Sequence, residues 1–578
     1  MARAGRSEMR GVHSMFCHRL LRRSSEGYMK IQNLVLYVRP LLVALTLFFV
    51  ACLPLLPIPA TAAELVAAHG MGKQAPGQED HAYYTCGGAM ETRIWQLWET
   101  QGRAYLTSQQ VQARLLDQGD TYALYDIQIL FHNLAGMAQR CRRTDRLVQL
   151  ADDLMPLFDA LQPLPGGQPG EMAWVCRGGE VCNARNRLVN TEVMLVSMQG
   201  LGLLSALARD LATSDDAQAR NHPLIEKTVQ TSLAHLRRWG GPSQVAQWRR
   251  AAEARPEDVK SGSANLCFLD IHLWQIAIYA NLAGVAAVQP QWFDAAQPSS
   301  EAHRDLSAAI GALLHFFQRR VTRHELDSPR LGRVQVADLD AGYWRLFGDN
   351  RFAGYSGNAS PAVCRPVNSA KPAGGGGQSP QIGKDRPWPW VGSISQPMRA
   401  ELRIDPASIP VVPDLGWDIS HARRLVQVLA ALHANRQAMA EWWGLAPQQL
   451  PSADLARAFA AQLLARVWNG DVQSPLFTNY FNGANGWLRA GYDNGTGRCY
   501  VGYPPFGLSD SFATGGYAQW AEYFPQLSEL ARTIYQRTQS NKPDDLRFVE
   551  QYYFYLALDA EARRHLEQQI MFWPSLVR

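Results

Sequence analysis

The 578-residue sequence lacks the short motifs that mark the commonest catalytic centres. It has no glycine-rich phosphate-binding loop, no serine in a nucleophile elbow and no group of Cys or His residues at the spacing of a metal site. We therefore expect no cofactor and no metal ion. Segments in which apolar and polar residues alternate are also scarce, which argues against a fold built on β-sheets.

Cysteine is sparse, with nine residues in the chain and seven after residue 63. In an exported protein, disulfides are the expected state of such cysteines. Cys176 and Cys182 bracket a glycine-containing loop that could close on itself. The sequence does not determine the other pairings, and the odd number leaves one thiol unpaired or used between chains. The seven are Cys86, Cys141, Cys176, Cys182, Cys267, Cys364 and Cys499.

Positive charge is in excess only at the start of the chain. The formal net charge is +5, from 56 Lys and Arg against 51 Asp and Glu. Residues 1–63 hold eight of the basic and two of the acidic residues, which leaves 48 and 49 in the remainder. A net charge of −1 there gives no reason to expect a nucleic-acid partner.

Residues 29–63 have the composition of an export signal. A basic flank precedes the apolar run Leu41 to Pro59, and small residues offer a cleavage site near Ala62 or Ala63. We expect a periplasmic or secreted protein. The apolar run is also nearly long enough to span a membrane, so retention as a membrane anchor is the alternative.

The rest of the chain reads as one domain with two long insertions. We expect residues 1–28 to be upstream readthrough, 64–89 to be an extended segment and 90–578 to form the domain. Residues 324–413 and 469–510 interrupt it and are rich in Gly, Pro and aromatic residues. Loops of this length in a compact domain are usually functional or disordered. The first contains an alternating stretch, Gly332 to Asp349, that could be a short hairpin.

Apolar residues recur at helical spacing through most of the domain. The predicted helices fall into pairs with short returns, which favours an all-α fold. Six such pairs can close around a central funnel, so we predict an (α/α) helical-hairpin toroid, incomplete or closed, with little β structure. The predicted spans are Met90–Gly119, Thr121–Arg142, Thr144–Leu161, Arg185–Ala212, Pro223–Trp239, Asn265–Val285, His303–Arg323, Leu415–Met439, Ala453–Trp468, Ser511–Phe524, Gln526–Arg537, Pro543–Leu556 and Asp559–Ile570.

Three of these helices share an Asp-Ile step, at Asp126, Asp270 and Asp418, separated by 144 and 148 residues. We interpret this as a degenerate helical-hairpin repeat whose polar helix starts surround one cavity. The alternative is that each carboxylate only ties its own helix to a neighbour, because a buried carboxylate needs a partner.

His421 is the strongest catalytic candidate. It lies one helical turn after Asp418, which can fix the tautomer of the imidazole, so that His421 can act as a general base. Arg423 or Arg424 can hold a substrate carboxylate by a forked hydrogen bond. The alternative is that Asp418 caps the helix and His421 is a satisfied core residue.

A glycine-hinged loop, Gly491 to Tyr503, adds a second group of candidates. Tyrosine can transfer a proton or stack on a sugar ring, so Tyr492 and Tyr500 are catalytic candidates. Within the loop, Asp493 to Gly495 is also a good turn, which is the alternative there. The further candidates are Asp270 for catalysis, and Asn190, Trp274, Trp487, Arg498 and Tyr503 for substrate binding.

Together these residues resemble the (α/α) toroid carbohydrate-active proteins, which include alginate and other uronate lyases and six-hairpin glycosidases. The resemblance is architectural and covers most of Met90 to Arg537. The Asn-Asn-His-Ser run of the alginate lyases is absent, and the nearest feature is Asp418-Ile419-Ser420-His421. The resemblance implies a polysaccharide or oligosaccharide as partner, with a membrane involved only if the leader is retained.

The sequence thus favours an exported lyase that cleaves a uronate-containing polysaccharide by β-elimination. Neutralising the uronate carboxylate acidifies the neighbouring proton, and a base then removes it. The candidates for neutralisation are Arg423, Arg424 and Asn190, and those for proton transfer are His421, Tyr492 and Tyr500. A glycoside hydrolase would instead use paired carboxylates from Asp270, Asp418 and Asp493. The remaining alternative is a non-catalytic glycan-binding or assembly protein.

Overall fold

A computed structural model describes residues 82–179, 181–184, 186–255, 258, 264–296, 300–340, 362–366, 390–391, 398–402, 415–489, 492–493, 499–500, 502–553, 556 and 562–578. The predicted readthrough segment 1–28 and export signal 29–63 lie outside these residues. Of the segment 64–89, only residues from Ala82 onward are described, and Tyr84 is already part of the buried core.

The described residues are mostly helical, which confirms the predicted all-α class. The toroid arrangement stays a prediction. The helices are α1 Ala89–Leu97, α2 Tyr122–Arg140, α3 Thr144–Leu154, α4 Met194–Ala212, α5 Ala217–Arg220, α6 Pro223–Trp239, α7 Pro242–Glu253, α8 Asp270–Val288, α9 Glu301–Arg320, α10 Ile419–Ala422, α11 Arg424–Ala434, α12 Arg436–Trp442, α13 Leu455–Gln462, α14 Asp510–Thr514, α15 Gln526–Thr538, α16 Pro543–Tyr552 and α17 Ala562–Phe572.

Several helices begin where local chemistry predicts. Helix α6 spans the predicted residues because Pro223 occupies its first turn, the ring of His222 accepts the Leu224 N–H, and Gly240 follows its end. Helix α4 begins nine residues later than predicted. The preceding segment instead pairs with the disulfide loop, since the Asn190 N–H donates to the Cys176 carbonyl at 2.8 Å.

The predicted pairs meet in space. Helix α2 packs on α3, α4 on α6, α8 on α9 and α11 on α13. The first members of these pairs also contact one another in sequence order, from α2 through α4 and α8 to α11, and α17 packs back on α2. Helix α8 contains an 18-residue stretch with a mean hydropathy of 1.4, and the helix is long enough to cross a membrane. However, 83% of that stretch is buried inside the protein, as expected for a core helix.

The small sheets are antiparallel. Their strands are β1 Gln162–Pro163, β2 Met172–Ala173, β3 Val321–Ser328, β4 Gly332–Leu339, β5 Ala362–Pro366, β6 Trp390–Val391, β7 Met398–Leu402, β8 Tyr492–Asp493 and β9 Cys499–Tyr500. Strands β6, β9 and β8 form one sheet in that order, with Trp390 opposite Tyr500 and Val391 opposite Cys499. The two predicted insertions therefore meet each other.

The hairpin lies earlier than predicted. Strands β3 and β4 pair from Val321 opposite Leu339 to Ser328 opposite Gly332, so the predicted helix end at Arg323 is wrong. Helix α9 stops at Arg320 because the next residues, beginning with β-branched Val321, favour extended backbone. The stretch after Asp340 lies outside the described residues.

Two disulfides join four of the described cysteines. Cys176 and Cys182 close the glycine-containing loop, as expected, and Cys86 joins Cys141 across 55 residues. Cys364 is also disulfide-bonded, and Cys267 is buried. Glu91 lies within 4.8 Å of the sulfur atoms of the Cys86–Cys141 pair, but both sulfur atoms are used in the disulfide.

Candidate functional site

The stretch Gly416–Asp418, just before α10, joins both insertions to the helical body. Gly416 forms a β-bridge with Asp340, where the first insertion leaves β4. Asp418 forms a second bridge with Tyr480 of the second insertion. A Cβ atom on Gly416 would lie 2.7 Å from the Asn482 nitrogen and 2.8 Å from the Asp338 carboxylate, so only glycine fits this crossing.

Asp418 is the N-cap of α10 and has no exposed surface. Its Oδ1 accepts the Ser420 hydroxyl at 2.5 Å and the His421 N–H at 3.2 Å. Its Oδ2 lies 2.7 Å from His421 Nδ1. The carboxylate therefore both caps the helix and orients the imidazole through Nδ1.

The surroundings favour the charged form of the Asp418 carboxyl. Burial alone would raise its pKa, but the charge and hydrogen bond of His421 hold the pKa well below its ordinary value. Arg489 and the Ser420 hydroxyl act in the same direction. Arg489 has a φ of 57°, in the left-handed region, just after Leu488 pairs with Tyr503. The second insertion thus contributes a positive charge beside the carboxylate.

The two neighbouring arginines have different surroundings. Arg424 is buried: its Nη2 lies 3.3 Å from Asp270 Oδ2, and its Nη1 donates to the Ser420 carbonyl at 3.1 Å. Arg423 is partly exposed. Burial raises the pKa of Asp510 to about 7, although the nearby charge of Arg423 opposes this.

Arg423, Arg424 and Trp274, all predicted to bind substrate, line one small cavity of about 30 Å³. The Trp274 indole is buried, 5.8 Å from the His132 ring, and its N–H has no hydrogen-bond partner among the described residues. The structure therefore brings three of the predicted side chains together, one helical turn from the Asp418–His421 pair.

Amide side chains line the same small cavity. Gln199 donates to Gln128 at 3.1 Å, and Gln128 lies 3.1 Å from Nδ1 of His132. Gln427 donates to Asn133 Oδ1 at 2.8 Å. Burial lowers the pKa of His132 to about 4, so this imidazole is neutral at physiological pH. The network satisfies most of its buried polar groups, although Gln199 Oε1 has no hydrogen-bond partner among the described residues.

A larger cavity of about 530 Å³ lies beyond this network and shares His132 and Gln427 with the small one. Residues of α2 from His132 to Arg140 and of α4 from Gly202 to Asp210 line it, whereas the small cavity is lined by earlier residues, from Gln128 to Asn133 of α2 and Gln199 of α4. The charged groups of the large cavity are Arg140, Arg209, Asp210, Glu522 and Arg578. None of these five was a candidate from the sequence.

Comparison with protein-family models, with curated proteins and with solved structures finds no match. The function must therefore be argued from these side chains.

The remaining Asp-Ile step, at Asp126, lies in a separate network of ion pairs. Asp126 pairs with Arg114, which also pairs with Asp120 at 2.8 Å. Burial raises the pKa of Asp126 to about 6 against the charge of Arg114. Arg424 links the helix starts at Asp270 and Asp418, because it pairs with Asp270 and donates to the Ser420 carbonyl. The helix start at Asp126 pairs with Arg114 instead.

The other candidates are more scattered. Asn190 is exposed at a φ of 62° and is not among the residues that line the two cavities. Trp487 is buried, and its carbonyl accepts the Tyr480 hydroxyl at 3.0 Å. Tyr503 is partly exposed. Tyr492 and Tyr500 lie on β8 and β9, and Arg498 lies outside the described residues.

Sequence reasoning missed the residues that support the pair. Asn479 holds the second insertion in place, because its side chain donates to the Gly486 and Pro504 carbonyls and accepts the Leu508 N–H at 3.0 Å. Its backbone carbonyl accepts the Ile419 N–H. The only sequence signal was its place in a turn-rich segment, which does not distinguish a structural asparagine from a solvated one.

Proposed function

We propose that this chain is an exported enzyme that cleaves an acidic polysaccharide by β-elimination, with His421 as the base. The observation that carries the proposal is the Asp418–His421 pair, in which a fully buried carboxylate holds Nδ1 of a partly exposed imidazole at 2.7 Å. When Nδ1–H of a neutral histidine donates to a carboxylate, Nε2 carries the lone pair, so Nε2 is the basic nitrogen of the ring.

Arg423 supplies the second requirement of the reaction. Removing a proton next to a uronate carboxylate requires that carboxylate to be neutralised, and guanidinium is suited to this because it forms paired hydrogen bonds. Arg424 is buried and is committed to Asp270 and to the Ser420 carbonyl, whereas Arg423 is partly exposed and lines the small cavity. We therefore assign substrate binding to Arg423 and a structural role to Arg424.

In the proposed reaction, His421 takes the proton from the carbon beside the carboxylate. The electron pair of that C–H bond forms a carbon–carbon double bond, and the bond to the glycosidic oxygen breaks. A tyrosine of the second insertion donates the proton that the leaving oxygen needs, and Tyr492 or Tyr500 is assigned to this step. Asp418 does not touch substrate and acts as a positioning residue.

The burial of Asp418 also bears on the hydrolase alternative. A hydrolase needs two carboxyl groups that reach the glycosidic bond. Asp418 has no exposed surface, and Asp270 lies 3.3 Å from Arg424. These constraints support a lyase over a hydrolase. The disulfides support the export part of the proposal, because such bonds persist in oxidising compartments.

The test is incubation of the purified protein with uronate-containing polymers while the ultraviolet absorbance of the unsaturated product is followed. The proposal expects absorbance to rise with the wild-type protein and to be lost in His421→Ala. The control is His315→Ala, which changes an exposed histidine on α9 and should keep full activity. New reducing ends without absorbance would favour the hydrolase, and polymer binding without cleavage would favour the non-catalytic alternative.

A further inference from the structure

The large cavity carries more positive than negative charge in its lining. Three guanidinium groups, from Arg140, Arg209 and Arg578, face two carboxyl groups, from Asp210 and Glu522. Glu522 is exposed and so lies where the cavity meets solvent. The interior of the cavity is therefore suited to an anion, since among the described side chains that line it the other carboxyl group, from Asp210, is already beside Arg209.

The sequence keeps this space open with small side chains. Helices α2, α4, α8 and α11 are otherwise rich in buried Leu, Ile and Val, yet the apolar residues with which they line the cavity are Ala or Gly, apart from Val426. Close packing would normally fill such positions in a helical core. The small residues lining the cavity include Ala135, Gly136, Gly202, Ala206, Ala277 and Ala430.

Two of the guanidinium groups repel each other. Burial and the nearby charge of Arg578 lower the pKa of Arg140 to about 10. Burial likewise lowers the pKa of Arg578 to about 10, with Arg532 acting in the same direction and Glu522 opposing it. Arg140 is held by the Pro574 carbonyl at 2.8 Å and by Gln519 at 3.2 Å. An anion between these groups would relieve the repulsion.

Two arginines that line the cavity also have unsatisfied donors. The Nε atoms of Arg209 and Arg578 are buried, with almost no surface open to the cavity, and have no hydrogen-bond partner among the described residues, whereas Arg578 Nη2 donates to the Ala518 carbonyl. Arg209 Nη2 lies 2.9 Å from Asp210 Oδ1, but that oxygen accepts no hydrogen bond from the described residues, so the contact is an ion pair without hydrogen-bond geometry. Buried unsatisfied donors are costly, and a bound anion toward which these guanidinium groups turn would remove that cost.

We propose that this cavity is a binding site for a sugar acid of one or two residues. Arg209 and Arg578 would bind the carboxylate, and Trp520 and Tyr523, which line the cavity, would contact the ring faces. The side chains of Gln139, Asn281 and Gln427 offer partners for hydroxyl groups. A volume of about 530 Å³ is within the range of small-molecule sites.

This site is distinct from the Asp418–His421 pair. The residues His132 and Gln427 border both cavities, so the two lie next to each other inside the helical body. Neither His421 nor Asp418 lines the large cavity. The inference rests on the charge, volume and unsatisfied donors of the large cavity and does not require that the protein be a lyase.

The test is isothermal titration of the purified protein with sodium glucuronate, with glucose as a neutral counterpart and inorganic phosphate as a second anion. We expect glucuronate to bind and glucose to bind at least tenfold more weakly. Arg209→Gln should weaken glucuronate binding roughly tenfold, the loss expected for one charge-assisted hydrogen bond. The matched control Arg250→Gln, on the outer face of α7, should have no effect.

A second variant tests the proposal even if Arg209→Gln does not fold. Ala430 lines the cavity and is exposed, so Ala430→Leu fills part of the space without altering the core. It should abolish glucuronate binding and leave the melting temperature unchanged. Equal binding of glucose, tighter binding of phosphate, or identical behaviour of Arg209→Gln and Arg250→Gln would overturn the proposal. His421→Ala should keep glucuronate binding, so this result is independent of the lyase test.

Discussion

Replacing Asp418 with asparagine separates its two structural roles. Asparagine is as good an N-cap as aspartate, so the bond from the His421 N–H to the side-chain oxygen is kept. The ionised acceptor for His421 Nδ1 is lost, and a charge-assisted bond of this kind contributes about 1.5–3 kcal/mol. We therefore expect Asp418→Asn to lower the free energy of unfolding by about 2 kcal/mol.

Asp418→Ala should lower the free energy of unfolding further than Asp418→Asn does. It removes the cap as well, worth about 1 kcal/mol. It also leaves the Ser420 hydroxyl without the acceptor that it has in the native protein, which adds about 1–3 kcal/mol if that donor stays buried. The expected order of stability is wild type, then Asp418→Asn, then Asp418→Ala, with a total loss of about 4 kcal/mol or more for the last.

Urea denaturation followed by circular dichroism measures these differences, and its pH dependence adds a check. The pKa of Asp418 is lowered by folding, so its contribution is present above the unfolded pKa of about 3.9 and is lost as the pH falls through the lower folded pKa. The gap between wild type and Asp418→Asn should thus narrow in acid. Equal stability of the two proteins at pH 7 would refute the assignment of a stabilising carboxylate–imidazole pair.

Three further predictions concern the fold. Gly416→Ala should destabilise the protein by about 1–3 kcal/mol in thermal unfolding through its clash with backbone, whereas Gly311→Ala, which meets only ordinary contacts within α9, should not destabilise it. Removing the Cys86–Cys141 disulfide by a double Ala substitution should cost about 4 kcal/mol in denaturant, from the entropy of a 55-residue loop, and no loss would contradict that estimate. Burial raises the pKa of Asp210 to about 6, so its stabilising effect is complete below about pH 3.8 and is lost as the pH rises through 6; Asp210→Asn should flatten the melting-temperature profile over that interval.

Helices with strong periodicity and clear end signals could be predicted from the sequence. Helix α6 has Pro at its first turn and Gly after its last residue, and its predicted bounds match the structure. The span Leu415–Met439 was wrong as one helix. Its apolar stripe is buried, but Asp418 caps a start at Ile419, and Asn435 at a φ of −112° ends α11. Periodicity alone does not register such breaks, because the buried face continues across them.

The candidate site was predictable where its contacts are local. Asp418 and His421 are three residues apart, so a helical start brings them together by geometry alone. The pair of Arg424 with Asp270 joins positions 154 apart, which no local pattern encodes. The large cavity was missed for a related reason. Its Ala and Gly residues are ordinary helix residues in sequence, and only the packing of several helices reveals that they leave a space.

The crossing at Gly416–Asp418 places the imidazole of His421 next to both insertions. Gly416 bridges to Asp340 of the first insertion, Asp418 bridges to Tyr480 of the second, and the Asp418 carboxylate orients His421. A ligand contact far out on either insertion would therefore be transmitted to the proton-transfer group and, through Gln427 of α11, to the two cavities that this side chain borders.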